Sequence, residues 1–142
     1  ETPHRLKEMD YLKAKVDAGA DYICTQLFFN NSDFYDFRER CAIARIKVPI
    51  IAGIMPVISL SSMKRISEQA LRTRIPAKLQ RAISRTSDDE AVARVGIQWA
   101  TQQVSDLFDR DVRGIHFYTL NKSKPTLKIY DALGIRPEDK PS

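Results

Sequence analysis

The sequence has few of the residues that build covalent or metal-held frameworks. Its 142 residues include two cysteines and two histidines, and these four lie far apart along the chain. Such a set matches neither a disulfide framework nor the spacing of metal ligands. We therefore predict no metal site and a reducing, cytoplasmic environment. Cys24, in an apolar strand-like run, and Cys41, on a helix face, are predicted to be small core residues.

Long apolar runs are also missing. No stretch approaches the ~18 apolar residues of a membrane-spanning helix, so no membrane partner is expected. The net charge is +5 and the isoelectric point is about 9.3, which raises the question of nucleic-acid binding. The lysines and arginines are dispersed, however, and no nucleic-acid motif occurs, so no such partner is expected. The charge indicates either a solvated basic surface or cationic groups that favour phosphate or carboxylate ligands.

The chain offers no recognisable catalytic set. No Ser-His-Asp or Cys-His arrangement can be assembled, no glycine-rich phosphate loop is present, and no pair of carboxylates sits at the strand ends. Gly53 stands alone in a strand-like run, where a glycine weakly indicates the close approach of a ligand or another backbone. The chain begins at Glu1 rather than Met, so we expect an excised piece whose catalytic acid lies elsewhere.

Helical and strand-like segments alternate along a chain of ordinary globular composition, with 43% hydrophobic and 29% charged residues. Near-continuous apolar runs, the first of which suits a strand covered on both faces, predict three strands, over 21–29, 48–54 and 114–120. Helical periodicity and end signals predict six helices: one ended by Gly19, one capped at 30–33, one each over 59–71 and 77–84, one starting from a capping box at 87–90, and one over 126–133. A frayed tail is expected over 136–142.

Alternating helices and strands are typical of a parallel sheet, and three strands leave two open edges, which favour association. A complete (β/α)8 barrel needs eight strands and typically about 250 residues. We therefore expect residues 1–142 to form one partial domain, which is either part of a barrel or a truncated doubly wound α/β fold. We also expect it to form homo-oligomers.

Polar groups follow two of the predicted strands. Gln26 lies near the end of the first, and Tyr118, Asn121 and Lys122 lie at the end of the third. Each has a plain structural interpretation: an amide satisfied by backbone, a strand tyrosine, and a solvated loop. Alternatively, these groups hold a polar heterocycle with a carboxylate tail, because ligands bind at this edge of parallel sheets. His116 points to the same side as Tyr118 by alternation, although a satisfied core histidine is the favoured interpretation.

One face of the first helix carries three polar side chains beside the apolar stripe. Glu8, Tyr11 and Lys15 follow each other at i, i+3 and i+7. Such a face is usually solvated charge. The alternative is a contact with a nucleotide, in which Lys15 meets phosphate, Tyr11 meets adenine or ribose, and Glu8 meets a hydroxyl.

Three motifs, in order and at matching spacing, resemble the C-terminal half of the methylenetetrahydrofolate reductase catalytic barrel. Residues 13–21 (KAKVDAGAD) with 25–29 (TQLFF) resemble the family's K-x-K-V-x-A-G-A and T-Q-x-F-F stretch. Residues 53–56 (GIMP) resemble its G-I-x-P turn, and residues 116–121 match its H-F-Y-T-L-N strand. The resemblance covers nearly the whole chain and implies a (β/α)8 fold.

The resemblance implies a flavoprotein that uses FAD, with NAD(P)H as co-substrate, to reduce 5,10-methylenetetrahydrofolate to 5-methyltetrahydrofolate. It implies that Gln26 contacts the pterin, that Tyr118 lines the folate site, and that Lys122, where the family commonly has arginine, pairs with the glutamate tail as a point charge.

It further implies four flavin contacts: Thr2, Glu8, Tyr11 and Lys15. Glu8 replaces the usual aspartate. Ser62 and Ile66 fall where some members place folate contacts, and the family's catalytic acid would precede Glu1.

Two other interpretations remain open at this stage. A different enzyme on the same fold, such as a barrel aldolase, would be favoured by a Schiff-base lysine inside a strand, and none of the predicted strand interiors has one. A basic, non-enzymatic binding module would be favoured by salt-sensitive retention on heparin without flavin colour.

Overall fold

The computed structural model of the chain describes residues 3–69 and 75–118. Within these ranges it contains five helices and three strands: α1 (Pro3–Asp17), β1 (Ile23–Leu27), α2 (Asn31–Ile43), β2 (Ile50–Ile54), α3 (Leu60–Gln69), α4 (Ala77–Ser84), α5 (Asp89–Asp109) and β3 (Ile115–Phe117). The helix predicted over 126–133 and the tail over 136–142 lie outside the described residues. None of the five helices is both long and apolar enough to cross a bilayer.

The three strands form one parallel sheet in the order β1-β2-β3. Ile23 pairs with Ile50, and Ala52 pairs with Ile115, so these side chains share one face of the sheet. This face is covered by α1, α2 and α5, which contribute the following residues to one apolar cluster: Met9, Leu12, Val16, Phe34, Cys41, Ala100, Val104 and Leu107. A doubly wound fold would have helices on both faces, so the arrangement is that of a barrel segment.

The end of α1 was correctly predicted. Gly19 has φ +111°, its N–H donates to the carbonyl of Val16, and the N–H of Ala20 donates to the carbonyl of Lys15. This is a Schellman motif, which needs a residue with positive φ after the helix, and glycine adopts that conformation without steric cost. It turns the chain directly into β1.

The expectation that β1 is covered on both faces was wrong. Cys24 and Gln26 of this strand are exposed, and the buried cysteine of the chain is Cys41. The reason is that α1, α2 and α5 pack on the face of Ile23, while the opposite face, which lines the interior of a barrel, leaves Cys24 exposed among the described residues. An apolar run of nine residues therefore overstated the burial of the strand.

A second apolar cluster forms at the C-terminal edge of the sheet. It contains Phe29, Met55, Val57, Ile66, Leu79, Ile83 and Val92. Here α5 lies directly on the backbone of the loop after β2: a Cβ atom on Gly96 would be 1.8 Å from the carbonyl oxygen of Val57. Sequence periodicity alone did not identify Gly96 as a contact point.

Helix α5 begins one residue later than the capping box predicted. Its N-cap is Asp88, whose Oδ1 accepts from the N–H of Ala91 at 2.8 Å, and not Ser87. The next residue, Asp89, accepts from the N–H of Leu60 at 3.1 Å and so caps the start of α3. The two adjacent aspartates thus satisfy the N-termini of two helices.

Candidate functional site

Tyr118 crosses the C-terminal edge of the sheet. Its backbone N–H donates to the carbonyl of Ile54 at 2.8 Å, which continues the pairing of β3 with β2. Its hydroxyl donates to the carbonyl of Thr25 on β1 at 3.0 Å, so the side chain spans from the third strand to the first. The ring therefore lies on the sheet at its C-terminal edge, which is where ligands bind in such folds.

Gly53 makes this crossing possible. A Cβ atom at this position would be 2.7 Å from Cε2 of Tyr118 and 2.6 Å from the carbonyl oxygen of Thr25. The sequence indicated a close approach at this strand glycine, and the approaching groups are the Tyr118 ring and the β1 backbone. Any larger residue would displace the ring from its place over β2.

The Tyr118 hydroxyl is a stable hydrogen-bond donor. Burial, followed by the contact with Cys24, raises its pKa to about 12. The two groups are 3.9 Å apart, between Sγ of Cys24 and the phenol oxygen. Because the phenol stays protonated at physiological pH, it can donate a proton in a hydrogen bond but does not serve as a base there.

The end of β1 departs from regular pairing. The register with β2 is irregular between Cys24 and Leu27, and the N–H of Gly53 donates to Thr25 Oγ1, a side-chain oxygen, at 2.9 Å. The irregularity has the character of a β-bulge, a feature that commonly re-aims side chains beside binding sites.

Gln26 lies within this irregular stretch, and its amide is exposed. Among the described residues its side chain has no hydrogen-bond partner, so the interpretation of an amide satisfied by backbone does not hold. Its donor and acceptor are both available to a ligand.

His116 is exposed, so the favoured interpretation as a core histidine was wrong. Its predicted orientation is confirmed: the His116 and Tyr118 rings are 4.6 Å apart between centroids at an interplanar angle of 81°. Both rings lie on the open face because β3 alternates, with Ile115 turned to the helices. Sequence reasoning thus placed the histidine on the correct side and misjudged its burial.

The loop after β1 is anchored by two residues that sequence reasoning did not single out for this purpose. Trp99 Nε1 donates to the carbonyl of Phe29 at 2.9 Å, and Gln103 Nε2 donates to the carbonyl of Phe28 at 3.1 Å. The available signal was Gln103 itself, because it interrupts the apolar stripe formed by Ala100, Val104 and Leu107.

On α1, Tyr11 and Lys15 are exposed, and Lys15 Nζ lies 4.8 Å from the centroid of the Tyr11 ring. The predicted same-face arrangement is confirmed for this pair. The side chains of Thr2 and Glu8, and the whole of Asn121 and Lys122, lie outside the described residues.

Ser62 and Ile66 are both buried. Ser62 is buried in a reciprocal cap with Ser59, in which each backbone N–H donates to the other side-chain oxygen. Ile66 belongs to the second apolar cluster. The described residues contain no group of three metal-ligating side chains.

Comparison with known proteins identifies one family. The profile described as "Methylenetetrahydrofolate reductase" matches residues 1–134. The chain is 39% identical over 134 residues to "Methylenetetrahydrofolate reductase (NADH) 1" of Arabidopsis thaliana, which covers 94% of this chain and 22% of the relative. It is 39% identical over 127 residues to "5,10-methylenetetrahydrofolate reductase" of Escherichia coli K12, covering 89% of this chain and 43% of the relative.

A third relative, "Probable methylenetetrahydrofolate reductase (NADPH)" of Caenorhabditis elegans, is 34% identical over 137 residues, covering 95% of this chain and 20% of that protein. The chain therefore spans less than half the length of each of these relatives.

Proposed function

The chain belongs to the methylenetetrahydrofolate reductase family, and from that premise we propose that it supplies the C-terminal part of a barrel that reduces 5,10-methylenetetrahydrofolate to 5-methyltetrahydrofolate. The coverage of the relatives and the three strands of the described residues, against eight in a barrel, support the view that the activity belongs to a longer protein. The chain alone is proposed to be inactive.

One observation carries the proposal at the level of the site. Gln26, whose side chain has no partner in the part of the chain that the structure describes, and the Tyr118 ring, which lies over Gly53, are together at the C-terminal edge of the sheet. An aromatic surface with an adjacent amide suits a pterin, which is a flat heterocycle with donors and acceptors on its edge. We propose that Gln26 and Tyr118 bind the pterin and that Lys122 pairs with the carboxylate tail.

The exposed pair on α1 fits FAD. Tyr11 offers an aromatic ring to adenine or ribose, Lys15 offers an ammonium to phosphate, and we propose that Thr2 and Glu8 complete this flank. When bound, FAD would supply a two-electron carrier between NAD(P)H and the folate. The residues of this chain would hold and orient the two ligands at one edge of the sheet. The relatives are named for NADH and for NADPH, so the proposal extends to NAD(P)H as a class.

We propose a cytoplasmic homo-oligomer in which the general acid comes from the remainder of the barrel. Among the described strand ends, the groups available are an amide, a phenol, a thiol and an imidazole, and no carboxylate is placed with them. An aldolase-type mechanism is not favoured, because β1, β2 and β3 contain no lysine to form a Schiff base.

The test is an anaerobic stopped-flow study of the complete barrel, containing this chain. Flavin absorbance should fall on mixing with NADH or NADPH, and should recover on mixing the reduced protein with methylenetetrahydrofolate. A protein that retains flavin but shows no recovery with the folate would overturn the proposed substrate. A protein that binds heparin and no flavin would favour the basic binding module instead.

A further inference from the structure

The end of β1 is held by side chains of another element. After the irregular register at Cys24–Leu27, the carbonyls of Phe28 and Phe29 accept from Gln103 and Trp99 of α5, at 3.1 and 2.9 Å. Trp99 and Gln103 are spaced i, i+4, so they lie one helical turn apart on the same face and meet two successive carbonyls.

A buried glutamine at position 103 carries a cost in folding free energy. Its side chain is 5% exposed and lies among the apolar residues of α5. Its amide N–H groups donate to the carbonyl of Phe28 and to Asn31 Oδ1. Its own Oε1 has no partner among the described residues. A buried, unsatisfied acceptor destabilises the fold. Methionine, which has nearly the same length, would remove that acceptor but would leave the Phe28 carbonyl and Asn31 Oδ1 without this donor. Gln103 therefore restrains the Phe28 carbonyl and Asn31, while its own acceptor has no partner among the described residues.

Asn31 completes a reciprocal contact that fixes the orientation of the Gln103 amide. Asn31 Nδ2 donates to the backbone carbonyl of Gln103 at 3.0 Å, while Asn31 Oδ1 accepts from Gln103 Nε2 at 3.1 Å. The amide is thus oriented by the first residue of α2, and it tethers both the helix and the strand end that precedes it.

Gln26 lies between two restrained points of the backbone. On one side, the Thr25 carbonyl accepts from the Tyr118 hydroxyl and Thr25 Oγ1 accepts from Gly53. On the other side, the Phe28 carbonyl is held by Gln103. These hydrogen bonds lie where the pairing of β1 with β2 is irregular. Side-chain hydrogen bonds therefore hold the backbone here, as regular hydrogen bonds between strands do elsewhere in the sheet.

We propose that Gln103 and Trp99 are positioning residues that fix the end of β1 and thereby aim Gln26 at the pterin. The inference rests on the proposed function of Gln26. Neither residue touches the pterin; both act through the Phe28–Phe29 backbone. A restrained strand end lowers the ordering cost of binding, because Gln26 is already held near its bound orientation.

The test begins with Gln103→Met in the complete reductase, with Gln102→Met as the matched control on the exposed side of the same helix. For Gln103→Met the dissociation constant for methyltetrahydrofolate should rise by about threefold to tenfold, the scale of ordering one side chain on binding. Flavin content and the NAD(P)H half-reaction should be unchanged, whereas the thermal midpoint should fall, because the Phe28 carbonyl and Asn31 Oδ1 lose their donor. Gln102→Met should change neither affinity nor midpoint.

A double-variant cycle with Gln26→Ala separates positioning from general stability. If Gln103 acts through Gln26, Gln103→Met should cause no further loss of folate affinity once Gln26 is alanine. A purely structural role would lower folate affinity by the same factor with or without the Gln26 side chain, which gives additive losses. Trp99→Phe, which keeps an aromatic ring and removes the donor to Phe29, repeats the measurement if Gln103→Met does not fold.

The outcomes distinguish the two proposals. If Gln26→Ala weakens folate binding while Gln103→Met and Trp99→Phe leave it unchanged, the positioning inference is wrong and the proposed function stands. If Gln26→Ala leaves folate binding unchanged, the proposed pterin contact is wrong, and the positioning inference fails with it. Additive losses in the double variant would also overturn the positioning role.

Discussion

At the scale of single residues, the candidate site depends on a tyrosine that reaches across a strand and on the glycine that lets it do so. Tyr118 bonds to Thr25 over Gly53, and its raised pKa keeps the phenol protonated. Tyr118, Thr25 and Gly53 thus contact one another. Gln26, in contrast, has no partner among the described residues, which makes it the group whose substitution reports on ligand binding rather than on the fold.

We expect Gln26→Glu in the complete enzyme to impair the folate half-reaction. The change keeps the shape but replaces the amide donor with a carboxylate, so one donor–acceptor pair with the pterin is lost. Such a loss costs on the order of 1–3 kcal/mol, or roughly tenfold to a hundredfold in affinity. Stopped-flow measurement of the two half-reactions should show a much smaller effect on flavin reduction by NAD(P)H.

The control for this substitution is Gln98→Glu, an exposed glutamine of α5 away from the strand ends. Unchanged folate reduction in Gln26→Glu, equal to that of the control, would remove Gln26 from the site.

A second residue-scale feature is the carboxylate of Asp106, which accepts from Asn31 Nδ2 at 2.9 Å and from the Tyr35 hydroxyl at 2.5 Å. These hydrogen bonds, the one from Asn31 first, lower the pKa of Asp106. A lowered pKa in the folded state stabilises the protein above the unfolded pKa of about 3.9. The contribution is lost as the pH falls through the folded value.

We therefore expect Asp106→Asn to reduce the free energy of unfolding at neutral pH, and expect the difference from wild type to shrink at about pH 3. Urea unfolding across this pH range is the measurement. Asp109→Asn, at an exposed aspartate of the same helix, is the matched control. A deficit in Asp106→Asn that stays constant from neutral to acid pH would contradict the role of the ionised carboxylate.

At the scale of elements, α5 contacts both the loop after β2 and the end of β1, beside the candidate site. Its N-terminal half lies on the loop after β2 through Gly96, its middle holds the end of β1 through Trp99 and Gln103, and its end leads into β3. A helix with so many fixed contacts is sensitive to changes in its approach to the sheet.

Gly96→Ala should destabilise the protein. The added methyl group would lie 1.8 Å from the carbonyl oxygen of Val57, and that oxygen belongs to backbone that cannot rotate away. Overpacking of this kind typically costs 1–3 kcal/mol, and a clash with backbone should place the loss at or above about 3 kcal/mol. Urea or thermal unfolding measures the loss, and Ser105→Ala, at an exposed position of α5, is the control. A loss below about 0.5 kcal/mol would show that the helix can move away freely.

Much of the element order was predictable from sequence because it depends on local signals. Periodicity located all five described helices, and Gly19 fixed the end of α1 because a positive φ was required there. The burial of Cys24, Gln26 and His116 was not predictable in this way. Burial depends on which elements cover a face, and an apolar strand has the same sequence signature whether the second face is open or covered by the rest of a barrel.

The positions of the candidate site residues in the fold were predictable to a similar extent. Strand ends indicated Gln26 and Tyr118 because polar groups there are unusual in otherwise apolar runs. Trp99 and Gln103 are 70 or more residues from their carbonyl partners Phe29 and Phe28, and no local pattern encodes that pairing. The sequence signals this pairing only through Gln103, a polar residue that interrupts the apolar stripe of α5.

At the scale of the whole molecule, the sheet has helices on one face and exposed polar groups on the other. The exposed residues of the strands include Cys24, Gln26 and His116, whereas Cys41, on α2, is buried and its pKa is raised to about 11, chiefly by burial. In a closed barrel the exposed face becomes the interior. The two thiols therefore report on closure, because Cys41 has the same surroundings with or without the remaining strands and Cys24 does not.

We expect an aromatic disulfide reagent to modify Cys24 quickly in the isolated 142-residue chain and Cys41 at least about tenfold more slowly, since a buried thiol reacts through local opening. Cys24→Ser should remove the fast phase, and Cys41→Ser should leave it. In the complete barrel Cys24 should become slow, and slower still with flavin and folate bound. Two equally fast thiols in the isolated chain would mean that it does not hold this fold alone. A Cys24 that stays fast in the ligand-bound barrel would mean that its face is not the interior, which would remove the physical basis for placing the pterin beside Gln26 and Tyr118.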